Sequence, residues 1–194
     1  MNTAAVTGPD GKARCPWGVE PEIYREYHDR EWGRPLRGDD ALFERVTLEA
    51  FQSGLSWLTI LRKREAFREA FSGFAIAKVA EFGESDVERL LGDAGIIRNR
   101  AKILASINNA QVASALDGGL SELLWSFAPT GGRARPRALD AIPAVTPEST
   151  AMAKELKRRG FRFVGPTTAY ALMQATGMVD DHLEACHVSL GRDA

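Results

Sequence analysis

Signals that start and stop helices recur along almost the whole of this chain, and they leave little room for anything but a helical fold. Pro21 suits a first helical turn, where its missing N–H would be unpaired anyway, and EIYREYHDREW follows it until Gly33. Asp39 or Asp40 can cap ALFERVTLEAFQS, which stops at Gly54, and Ser56 can cap WLTILRKREAFREAF, which ends at Ser72-Gly73. Ser85 and Glu88 fit a capping box ahead of VERLL, and a long helix is expected from Arg98 to Leu116. Thr146-Pro147 opens ESTAMAKELKRR and Pro166 opens TTAYALMQAT, while only FRFV, Phe161 to Val164, hints at extended structure. No run of alternating strands and no fixed-period repeat competes with this pattern, so the fold class is all-α.

The chain of 194 residues is long enough for one domain with a core of its own. Its first stretch, MNTAAVTGPDGKAR, is polar and contains Gly and Pro, so residues 1–14 are expected to be a flexible tail. That leaves a single unit over 15–188 and a second tail over 189–194. No apolar run approaches the roughly 18 residues of a membrane span, and no apolar leader opens the chain. The expectation is a cytoplasmic protein, whose two cysteines stay reduced. A formal charge of −1 excludes a globally basic nucleic-acid binder, but it leaves room for a local basic face.

The segment DDHLEACH places His182 and Cys186 four residues apart, on one face of a helix, so that a single metal ion could touch both. The other cysteine, Cys15, and His28 on the first helix would complete a Cys₂His₂ set. Four such ligands suit structural zinc and leave no open position for chemistry. The alternative is that each Cys packs as a small hydrophobe and each His lies at the surface, and the spacing alone does not decide. Asp181, next to His182, is a candidate to accept a hydrogen bond from a ligating histidine, and His187 is either a bystander or a substitute for His182.

Trp17, Tyr24, Tyr27, Trp32 and Trp57 crowd into the first 57 residues. Such rings build an ordinary core, or the wall of a pocket for a planar ligand. Glu49 falls on the apolar stripe of Leu42, Val46 and Ala50, so it is either rotated out to solvent or held at a cleft. VERLLGDAGIIRNRAKI reads as a helical hairpin turning at Gly95, with Arg98, Arg100 and Lys102 just beyond. Small residues and helix-start N–H groups there could hold a DNA phosphate.

Taken in order, YHDREWG, LEAFQSGLSWLTILRKREAFREAF, DAGIIRNRAKI and LKRRGFRFVGPTTAYALMQATGMVDDH resemble the DNA-3-methyladenine glycosylase I (TAG) family. The resemblance spans nearly all of Cys15 to Cys186. It implies a two-lobed helix-hairpin-helix glycosylase fold: the terminal segments form one lobe, and the central helices with the hairpin at 85–103 form the other. It also implies a structural Zn²⁺ on Cys15, His28, His182 and Cys186 that ties the two ends together. The activity implied is hydrolysis of the N-glycosidic bond of 3-methyladenine in double-stranded alkylated DNA, by a monomer that releases the free base. Glu49 and Tyr27 would bind the base and Glu49 would be catalytic; Trp57 would stack on the base, and Tyr24, Trp32 and Trp17 would complete the wall. Gly54-Leu55 would wedge into the base stack, and Gly95, Arg98, Arg100 and Lys102 would meet the backbone. No lysine occupies the nucleophile position of bifunctional relatives, so strand cleavage is not expected, and Asp117 is read as structural. Asp180 and His187 depart from the family's commoner residues. Two rivals remain: a DNA-binding module without catalysis, and a zinc hydrolase, which would need an open coordination position.

Overall fold

The structure, a computed structural model, describes residues 3–189. Its helices are α1 (Glu22–Arg30), α2 (Asp39–Gln52), α3 (Trp57–Ala70), α4 (Ile76–Val79), α5 (Glu84–Gly92), α6 (Arg100–Ser114), α7 (Gly119–Trp125), α8 (Pro147–Arg158) and α9 (Pro166–Ala175). The fold is therefore mostly helical, as the start and stop signals require. α2 is buried on nearly every side, through Leu42, Phe43, Val46, Leu48, Ala50 and Phe51, which makes it the central helix. It packs against α3, α6, α7 and α9. Phe51, Phe67, Phe71 and Phe74 stack into the core beside it, each fully buried. Each such side chain contributes about 1.5–3 kcal/mol when taken from water.

Three helix starts follow local chemistry. Ser56 Oγ accepts from Thr59 N, Thr146 Oγ1 accepts from Ser149 N, and Pro166 opens α9. Others do not. α2 begins after Gly38, and the carboxylates of Asp39 and Asp40 instead cap α7 and α4, accepting from Ser121 N and Ile76 N. α5 begins after Gly83, whose N–H donates to Asp86, so the box expected from Ser85 and Glu88 is not formed. α6 starts at Arg100 rather than Arg98, because Asn99 Oδ1 accepts from Lys102 N. FRFV is not a strand. The Asn109 side chain bonds both the N–H and the carbonyl of Arg162, standing in for a strand partner.

The N-terminal expectation also needs correction. Of the proposed tail over residues 1–14, Val6–Thr7 and Ala13–Arg14 pair as strands β1 and β2 around a turn at Gly8 and Gly11. Arg14 is 1% exposed and binds Asp10 and Asp29 together, which fixes the hairpin to α1. The tail proposed over 189–194 lies outside the described residues except for Ser189. Among the described residues no helix is long and apolar enough to cross a membrane.

Just after α9, Gly177 has φ +74, and a Cβ there would lie 2.5 Å from the Arg34 carbonyl carbon and 2.6 Å from Pro35 N. Neighbouring Thr176 O accepts from Leu36 N, so this is where the end of α9 meets the loop after α1. Gly177→Ala should cost at least about 2 kcal/mol, from left-handed backbone and close contact with main chain. In a chain of this size that lowers the melting temperature by roughly 4–8 °C. An unchanged thermal melt would show that this junction yields without cost.

Candidate active site and metal centre

Between α1, α2, α3 and α9 lies a cavity of about 380 Å³. All five aromatics singled out in the sequence line it: Trp17, Tyr24, Tyr27, Trp32 and Trp57. Trp17 stands edge-on to Trp32 at 5.0 Å and to Tyr24 at 5.8 Å, and Tyr27 lies 5.6 Å from Trp57. The edge-to-face contacts leave room beside the rings instead of closing into a solid stack. Gln52, Leu139, Ile142, Ala171 and Gln174 complete the wall.

Glu49 joins this wall and is 6% exposed. The apolar stripe of α2 carries it inward. No protein donor among the described residues bonds its oxygens, and burial pushes its carboxyl up to about 7 while Arg45 pulls the other way. Arg45 sits one turn earlier on α2, itself buried. Its Nη1 donates to Tyr27 Oη at 3.0 Å, and its Nη2 lies 3.7 Å from Glu31. As an acceptor from Arg45, the Tyr27 hydroxyl keeps its own proton free to donate. Burial also raises the Tyr27 phenol, so it remains protonated. Arg45 escaped the sequence reading, although its i, i+4 relation to Glu49 was a usable signal.

Behind the aromatic wall, Cys15, His28, His182 and Cys186 are all buried, and one ligand atom from each lies within 4.8 Å of the others. Cys186 Sγ is 3.6 Å from His28 Nε2 and from His182 Nδ1, and Cys15 Sγ is 4.0 Å from His182 Nδ1. Four ligands about 2.0–2.3 Å from a tetrahedral ion lie roughly 3.3–3.8 Å apart, close to this spacing. The outer ring nitrogens are held as well. His28 Nδ1 meets Asp29 at 2.8 Å, and His182 Nε2 meets the Trp32 carbonyl at 3.1 Å. Those contacts fix which nitrogen of each ring faces the cluster. The Cys186 contact and burial push the Cys15 thiol up, whereas the Cys15 contact and both imidazoles hold the Cys186 thiol down. A cation between them would let both ionise. The four residues can hold a metal.

Two expectations around this cluster change. Residues 180–189 are turn and loop rather than helix, so His182 and Cys186 converge through chain reversal, not a shared helix face. The carboxylate that holds the outer nitrogen of a cluster histidine is Asp29, not Asp181. Asp181 instead receives Arg133, Tyr170 Oη at 2.6 Å and Gln174 Nε2 at 2.8 Å. Asp180 accepts from His182 N and Arg135, and His187 pairs with Ala13 O and lies 3.6 Å from Asp29. Both residues brace the loop without entering the ligand set.

The hairpin between α5 and α6 departs most from its expected roles. Lys102 is 7% exposed and turned inward, its Nζ donating to Phe51 O at 2.8 Å and Ser53 O at 2.6 Å. It secures the end of α2 and is not available to a phosphate. Arg100 pairs with Glu84 and Glu88. The Gly95 amide is taken by Asp93, and a Cβ there would meet Ala66 at 2.9 Å, so this glycine serves close packing. Arg98 is exposed and makes no ion pair among the described residues. The loop held by Lys102 carries Gly54, at φ +83, and Leu55, 41% exposed.

Comparison with known proteins bears on this arrangement. The sequence profile of the methyladenine glycosylase family matches residues 17–189. The chain is 43% identical over 181 residues to the DNA-3-methyladenine glycosylase of Haemophilus influenzae, covering 89% of this chain and 96% of that protein. Against DNA-3-methyladenine glycosylase 1 of Escherichia coli it is 45% identical over 177 residues, covering 89% and 95%. A crystal structure of 3-methyladenine DNA glycosylase I superposes with a TM-score of 0.86 at 45% identity, over 90% of this chain and 98% of that one. A structure of the Staphylococcus aureus enzyme, described as showing the basis of 3-methyladenine recognition, superposes with a TM-score of 0.85 at 36% identity, over 90% and 95%.

The raised carboxyl of Glu49 has a consequence for stability. The folded chain keeps this proton to higher pH than the unfolded chain, so folding binds protons and stability falls as pH rises from about 4.5 through 7. The loss is on the order of 3 kcal/mol once both states are ionised. Glu49→Gln should therefore match wild type near pH 4 and become increasingly more stable than it towards pH 8, in urea or thermal unfolding. A stability difference independent of pH would contradict a buried, unpaired Glu49.

Proposed function

This chain belongs to the methyladenine glycosylase family, and on that premise we propose that it is a DNA-repair enzyme that excises 3-methyladenine from alkylated DNA by hydrolysing the N-glycosidic bond. The observation that carries the reading is Glu49, a buried carboxylate in the wall of an aromatic cavity of about 380 Å³. That volume lies at the small end of ordinary ligand pockets, roughly 300–1,000 Å³, and suits a single base.

In DNA, 3-methyladenine carries a positive charge, and its departure as a neutral molecule weakens the bond to C1′. The enzyme then needs little or no general acid. Its task is to hold the base outside the stack, favour the cation and admit water to the sugar carbon. Electron-rich rings favour a desolvated cation by about 2 kcal/mol, roughly a thirtyfold preference over a neutral base. A cation beside Glu49 draws its proton off, so carboxylate and ligand charge reinforce each other. Once the bond breaks the ligand is neutral and that attraction lapses, which favours release. Tyr27 donates its free O–H to the base, and Trp57 offers a stacking face.

Leu55, exposed at the tip of the loop that Lys102 secures, serves as the apolar wedge that fills the vacated place in the stack. Gly54 permits the left-handed turn that presents it. Arg98, exposed and without an ion pair among the described residues, is the hairpin cation that would meet the DNA backbone. Among the described residues the cavity wall contains no lysine, which fits a monofunctional enzyme. The Cys₂His₂ set, with two thiolates and two imidazoles and no open position, suits Zn²⁺. A metal there supplies no chemistry; it holds the loop carrying His182 against Trp32 and the β-hairpin.

Incubation with methylated duplex DNA, followed by chromatography of the released bases, should give a profile dominated by 3-methyladenine. Binding without any released base would overturn the proposal in favour of a DNA-binding module. Glu49→Gln should reduce excision at least about tenfold in a protein that folds normally. Chelation should lower the melting temperature by roughly 10 °C, while excision by protein that remains folded continues. Immediate loss of excision without loss of structure would instead favour a catalytic metal.

A further inference from the structure

Gln174, on α9, lines the same cavity as Glu49. Its amide is not free to turn. Nε2 donates to Asp181 Oδ2 at 2.8 Å, and a carboxylate accepts only, so the carbonyl end cannot take that place. Asp181 is itself immobilised, 1% exposed, with Arg133 and Tyr170 Oη donating to it. With its nitrogen fixed, the Gln174 Oε1 acceptor has no protein donor among the described residues and is left for the cavity.

We propose that Gln174 distinguishes an exocyclic amine from a carbonyl on the edge of the bound base, and that Asp181 positions it to do so. The proposal rests on the glycosylase reading above and deepens it. An adenine-type base presents N–H at the exocyclic position, which Oε1 accepts. A guanine-type base presents an oxygen at the same ring position, which sets acceptor against acceptor. Glu49 cannot supply this distinction alone. With its carboxyl raised to about 7, it is present near neutrality in both donor and acceptor forms. A locked carboxamide has one form only. Recognition by a fixed hydrogen-bonding group rejects a mismatched partner far more strongly than apolar contact does.

The test is titration of free 3-methyladenine and free 3-methylguanine into the full chain, followed by tryptophan fluorescence from the cavity wall. Wild type should bind 3-methyladenine more tightly. Gln174→Met, which keeps length without an amide, should weaken 3-methyladenine about tenfold and leave 3-methylguanine bound as tightly as before or more tightly, since the opposed acceptor is gone. Asp181→Asn, which retains Gln174 but lets its amide turn, should narrow the ratio as well. A ratio of affinities does not depend on the fraction of protein folded, so loss of stability in either variant does not imitate the effect. An unchanged ratio in Gln174→Met would overturn the assignment and leave the glycosylase reading standing. If wild type bound neither base and released none from methylated DNA, the glycosylase reading itself would fall, and this assignment with it.

Discussion

A carboxylate buried without a partner is the interaction around which the rest of this molecule is arranged. Glu49 is carried inward because α2 is the central helix, buried on almost every side. Folding so much apolar surface around α2 removes water from Glu49 as well, and none of the described residues provides a donor in compensation. The result is a site that disfavours its own negative charge until a positive ligand arrives. Stability is forgone at one residue so that affinity is concentrated on cations. Arg45 tempers the cost from one turn away while engaging Tyr27, so the acid and the phenol share one buried cation.

The aromatic wall facing Glu49 depends on the Cys/His cluster. Trp32 lies against His182 at 4.7 Å between ring centroids, and its carbonyl holds the same ring. Trp17 follows Cys15 closely and stands edge-on to His28 at 5.0 Å. Gly18 allows this approach, since a Cβ there would meet the His28 ring at 2.4 Å. From the other side, Asp29 binds His28 and Arg14, and so joins the β-hairpin to the cluster. The loop that carries His182 also carries Asp181, which orients Gln174. A tie between the chain's two ends is thereby part of how the pocket is shaped.

Much of this was legible where the chemistry is local. Ser56, Thr146 and Pro166 mark helix starts because their effect reaches only three residues along the chain. Asp39 and Asp40 misled because their carboxylates serve helices far away in sequence, a relation that no local pattern encodes. The hairpin over residues 6–14 was masked by strands only two residues long, although Gly8-Pro9-Asp10-Gly11 was a turn signal in plain view. The position of Glu49 on an apolar stripe announced it. Lys102 was misread for the opposite reason: a lysine near a helix start looks like a phosphate contact, yet its long stem reaches back to cap α2. Gln174 and Asp29 left no sequence signal, since their roles exist only once the end of α1 and the loop after it meet the loop at 180–187.

The most direct test of the account is a pH titration of the Glu49 side-chain carboxyl by ¹³C NMR in the free protein. A midpoint near 7, moving far downward when a cationic methylated base analogue is added, is the predicted result. A midpoint in the ordinary glutamate range, near 4.5, would mean that Glu49 is solvated or paired, and the central claim would be wrong.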